Sequence, residues 1–113
     1  MIEWSELRDR FNVGDALKPL IGSSKLTVDS IDEKQICIRQ RLWKACLTRE
    51  DLAIANNILA AAPADVTPVQ LSELIRDYYT SGSDVATDCT RIPNLSAVVL
   101  YNMGAVPGAR PSP

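Results

Sequence analysis

The sequence predicts an α+β domain in which a small antiparallel β-sheet of two to three strands, about residues 25–47, packs with N-terminal and C-terminal α-helices. Three observations carry this. Apolar and polar residues alternate through LTVDSI and QICIRQRL, the period of strands with one buried face. Apolar residues recur at helical spacing on both sides of that region. The chain has 113 residues, of which 46% are hydrophobic and 23% charged, enough to bury a core without a metal or a covalent staple. Residues 1–106 are expected to form one compact domain, and residues 107–113, ending in ARPSP, a flexible proline-rich tail.

Taken in order, Trp4, Leu7 and Phe11 define a first helix that Gly14 interrupts. In DALKPLIG, Leu17, Leu20 and Ile21 suggest a helical turn or two, limited by Pro19 and stopped at Gly22. The turn Asp32–Glu33–Lys34 separates the two strands of a hairpin, and WKACL returns as a third strand from a turn near Arg41. Ile36, Ile38 and Leu42 share one parity, with Arg39 and Arg41 on the other, so one face is expected to be buried and the opposite face basic.

Thr48 and Asp51 can cap each other at the start of a helix over 49–61, with Leu52, Ala55, Ile58, Leu59 and Ala62 on its apolar stripe. Thr67, Pro68 and Gln70 open the next helix, whose buried face reads as Leu71, Leu74, Ile75 and Tyr78. After the polar TSGSDVATD, Pro93 and Asn94 can start a last helix and Gly104 can end it. That helix is apolar on every side, which predicts a core element.

The sequence contains no histidine and none of the glycine-rich phosphate or nucleophile motifs. Its acid pairs have direct roles as turn and helix-start residues. The expectation is therefore a non-catalytic protein without cofactor or metal. Cys37, Cys46 and Cys89, separated by 9 and 43 residues, match neither a metal knuckle nor a disulfide framework. They read as reduced, buried thiols in a cytoplasmic protein, since charged residues arrive at once after Met1 and no apolar run is long enough for a membrane span.

Charge placement carries the functional expectation. Lys34, Arg39, Arg41, Lys44 and Arg49 give +5 between residues 34 and 49, in a chain whose net charge is −2. Residues 65–90 hold five acids against Arg76 alone, a local charge of −4. The five bases, with Trp43 as an aromatic anchor, are the expected contact set of a binding or regulatory module that engages a protein partner through the basic hairpin face. Self-association of basic and acidic surfaces is an alternative, and no membrane partner is expected.

The hairpin followed by TPVQLSELIRDYY and PNLSAVVLYNMG also resembles, in outline over residues 35–104, winged helix-turn-helix domains. The resemblance implies a nucleic-acid-binding regulator, with Arg91, Asn94 and Ser96 toward base edges and Arg39 and Arg41 on phosphates. A pI near 5.0 favours the protein partner over nucleic acid.

Overall fold

The structure is a computed structural model that describes residues 2–81 and 91–107. The chain runs α1 (Trp4–Arg10), β1 (Ala16–Leu17), β2 (Leu26–Ile31), β3 (Gln35–Gln40), β4 (Trp43–Thr48), α2 (Arg49–Ala61), α3 (Pro68–Ser81) and α4 (Arg91–Asn102). The strands form one antiparallel meander in the order β1-β2-β3-β4. The α+β class and the third strand are as expected from the alternating pattern.

Each hairpin follows from its turn. At the β2–β3 connection the Asp32 carboxylate accepts the amides of Lys34 and Gln35, at 2.7 and 3.0 Å, so an aspartate closes the turn. Those two amides hold its carboxyl below the ordinary value of 3.8. The β3–β4 connection is tighter. Gln40 pairs with Trp43, leaving a two-residue turn of Arg41 and Leu42. Arg41 takes a φ of 44°, the left-handed region that a two-residue hairpin turn requires and that glycine would adopt more easily.

This register corrects the parity drawn from the sequence. Ile36 and Ile38 face the core as expected, but Leu42 lies beyond the end of the strand and is 98% exposed. Arg41 likewise belongs to the turn and does not share a strand face with Arg39. The segment DALKPLIG is also different from the helical turn expected. Proline at position 19 cannot donate to a helix, and Ala16–Leu17 instead pairs with Thr27 and Leu26 as an edge strand. Leu17 is buried, while Ile21 is 74% exposed. The Asn102 side chain fixes this edge from across the fold, accepting from the Lys18 amide at 2.9 Å and donating to its carbonyl at 3.0 Å.

Helix α2 has the expected bounds and its expected cap: Asp51 N donates to Thr48 Oγ1 at 3.1 Å, and Thr48 N donates to Asp51 Oδ2 at 3.0 Å. Its most buried residues are Leu52, Ala55 and Asn56, with Ile58 and Leu59 at the margin of the core. Asn56 is buried because its amide clamps the backbone of Ile2, accepting from its N–H at 3.1 Å and donating to its carbonyl at 2.9 Å. In α3 the buried line is Leu71, Ser72, Ile75 and Tyr79. Leu74 and Tyr78, expected inside, are 38% and 52% exposed. Tyr79 wins the inner position because its hydroxyl donates to Asp51 Oδ1 at 2.8 Å, while its ring fills the α2–α3 junction.

Helix α4 lies at the centre. Every residue from Leu95 to Leu100 is buried, and the helix packs on α2, α3, β4 and β1. It begins before Pro93, which occupies the first turn, where the missing amide has no intrahelical partner. Gly104, at a φ of 75°, closes it: Ala105 N donates to Leu100 O and Gly104 N to Tyr101 O, both at 3.0 Å, which satisfies two end carbonyls. Most of the polar TSGSDVATD segment, Cys89 and residues 108–113 of the proline-rich tail lie outside the described residues. No described helix is long and apolar enough to cross a membrane.

Cys37 and Cys46 correct the reading of the cysteines as reduced thiols. They are directly opposed on β3 and β4, with Cα atoms 4.0 Å apart, and form a disulfide. Breaking it releases a loop of about ten residues in the unfolded chain, a loss on the order of 2 to 3 kcal/mol. Reduction should therefore lower the melting temperature by on the order of 10 °C. Thermal melts of the oxidised protein and of the reduced, alkylated protein check this, and coincident melts would mean that the bond contributes nothing to the fold.

Candidate interaction face

The helices cover one face of the sheet. Val28, Ile36, Ile38 and Leu47 point into the core and are essentially inaccessible. The other face carries Thr27, Ser30, Gln35, Arg39, Lys44, Thr48 and the disulfide, as the register requires. Most of these side chains are exposed or half-exposed. An antiparallel sheet with one solvated face has this polar-out pattern.

Two expected contact residues meet on that face. Arg39 and Lys44 are cross-strand partners, an arrangement in which like charges repel. Asp29 offsets the repulsion: its Oδ1 accepts from Arg39 Nε at 2.9 Å and its Oδ2 lies 3.4 Å from Lys44 Nζ. Asp29 reaches both because the β2–β3 register shifts between Val28 and Ser30, making room for one extra residue on β2. The hydrogen bond from Arg39 is the main reason the Asp29 carboxyl is held below the ordinary value of 3.8, with Lys44 reinforcing it. Two bases and one acid leave this cluster at a net charge of +1.

The other expected contact residues lie elsewhere. Lys34 and Arg49 are neighbours at the opposite end of the hairpin, where Arg49 N donates to Lys34 O at 3.1 Å. The Arg49 guanidinium lies 5.9 Å from the Trp4 ring centroid and donates to Glu33 O at 3.4 Å. Arg41 stands at the β3–β4 turn. Trp43 belongs to the core side of the sheet, partly buried, with the Arg91 guanidinium 4.7 Å from its ring centroid. The +5 segment is thus divided between the outer face and the two ends of the hairpin, because turns carry Lys34 and Arg41, and Arg49 begins α2.

The residues that the winged-helix resemblance would place on nucleic acid do not share a surface. Ser96 is fully buried in α4, and its hydroxyl finds no hydrogen-bond partner among the described residues. Asn94 borders a cleft beside α3. Arg91 stacks on Trp43, on the side of the sheet opposite Arg39. Residues 94–102 form a core helix, whose flanks are occupied by α2, α3 and the sheet.

Asp29 has a folded pKa below its unfolded one, so its contribution to stability is present above about 3.8 and is lost as pH falls through the folded value. The Asp29 carboxyl carbon, followed by NMR, should titrate below 3.8 in the native chain and shift upward in Arg39→Gln. An identical midpoint in the two proteins would show that Arg39 does not hold the carboxylate.

Compared with known protein families, characterised proteins and solved structures, the chain matches none.

Proposed function

We propose that the protein is a non-catalytic binding or regulatory module that docks an acidic protein surface on the uncovered face of β2–β3–β4. The supporting observation is the Arg39–Lys44 pair. Two bases stand directly opposite each other, and Asp29, which pairs with both, offsets their repulsion while leaving a net charge of +1 on an open, regular surface. Such a surface steers acidic partners and orients them on arrival. A protein is favoured over a nucleic acid because the bases are too dispersed to track a phosphate backbone, and two of them already share a carboxylate. The reading places the protein in the cytoplasm, where the Cys37–Cys46 bond would be held open. Binding is therefore to be measured with the bond both formed and reduced.

The double variant Arg39→Gln/Lys44→Gln removes the charge without adding repulsion, and both side chains are exposed, so its melting temperature should change little. In a pull-down from the native host with nuclease present, the native chain should retain a protein that the variant loses, and that interaction should weaken with salt. Capture that disappears with nuclease, or that is equal for the two chains, would overturn the proposal.

A further inference from the structure

On the core side of the sheet, a cleft of about 340 Å³ opens between the β1–β2 loop, the turn end of β3–β4, α3 from Val69 to Arg76 and Asn94 in the first turn of α4. Its apolar wall includes Leu26, Trp43 and Val69, and its polar side includes Glu73, Arg76 and Asn94. Glu73 and Arg76 are three positions apart on α3 and so lie on one flank of the helix. Among the described residues neither forms an ion pair, with the other or with any third group.

These features select a ligand class. The volume is at the lower end of the roughly 300–1,000 Å³ typical of small-molecule sites, so the ligand is small. A simple anion that reached Arg76 would be repelled by Glu73, and a simple cation that reached Glu73 by Arg76. A molecule carrying both charges satisfies both side chains, and the wall around Trp43 rewards an apolar substituent.

We infer that this cleft binds a small zwitterion with an apolar side chain, of the α-amino-acid class. The ligand's ammonium donates to the Glu73 carboxylate. Its carboxylate accepts from the Arg76 guanidinium and the Asn94 amide. Its side chain lies against Trp43, Leu26 and Val69. The site is separate from the Arg39–Lys44 face, and its test is independent of that reading.

The test is an NMR titration of the full chain with L-leucine and with L-phenylalanine. Glycine and the N-acetyl and amide derivatives of each amino acid serve as controls that lack the side chain, the ammonium or the carboxylate. At least one of the two amino acids should give saturable shifts at Glu73, Arg76, the Asn94 side-chain amide and the Trp43 indole. Each control should bind about tenfold more weakly or worse, the loss expected for one charge-assisted hydrogen bond or one apolar contact surface. Arg76→Gln and Glu73→Gln should each weaken binding by about tenfold or more with melting temperature unchanged. The inference is overturned if neither amino acid gives saturable shifts up to about 10 mM, a limit already weaker than most specific ligands. It is equally overturned if the N-acetyl and amide forms of the amino acid that binds do so as well as the amino acid itself, or if both variants bind as the native chain does.

Discussion

Helix α4 is apolar around its whole circumference, and the rest of the fold is arranged to keep water from it. Ala97, Val98, Val99 and Leu100 are fully inaccessible, a condition that no single neighbouring layer could produce. The sheet supplies one wall through β4 and β1, and α2 and α3 supply the others. Burying such a helix consumes the inner face of the sheet and the inner stripes of both neighbouring helices. The outer sheet face is left uncovered, and the proposed docking surface exists because of that arrangement.

A few polar side chains join distant parts of the chain to this core. Asn56 holds the backbone of Ile2, Asn102 holds that of Lys18, and the Trp4 indole donates to Asp32 O at 2.9 Å. Asp51 serves two partners at once, closing the start of α2 with Thr48 and accepting the Tyr79 hydroxyl from α3. Burial and the neighbouring carboxylate push the Tyr79 phenol well above its ordinary value, so it remains a donor across the physiological range. The Asn56, Trp4 and Tyr79 contacts satisfy partly buried polar groups, and each of the contacts ties together segments far apart in sequence or closes a helix start. The hairpin is thereby held between a fixed α1 and a fixed α4.

What was legible in the sequence was mostly local. The Thr48–Asp51 cap, the Asp32 turn, the alternation of β3 and the glycine stop at Gly104 depend on residues a few positions apart. The misread features depend on where distant segments meet. Tyr78 and Tyr79 are equivalent by periodicity, and the carboxylate of Asp51, on another helix, decides between them. Leu42 fits the buried parity until the turn closes one residue before it. The disulfide follows from the same register: once Gln40 faces Trp43, counting outward places Cys37 opposite Cys46, although a spacing of nine has no meaning by itself. Asp29 was hidden by a bulge, whose trace is the step from Val28 to Ile31 where strict alternation would place the next apolar residue at position 30. Lys34, Arg39, Arg41, Lys44 and Arg49 are all exposed, but charge counted along the chain says nothing about which face or end of the hairpin each base occupies.

The central claim is that α4 is the helix around which the fold is built, and native-state hydrogen exchange tests it most directly. The amides of Val98, Val99 and Leu100 should exchange only through global unfolding, with the same opening free energy as those of Ile36 and Ile38. Exchange of the α4 amides through a local opening several kcal/mol less costly than that of the sheet would contradict it, because the helix would then be a peripheral element laid on a core formed without it.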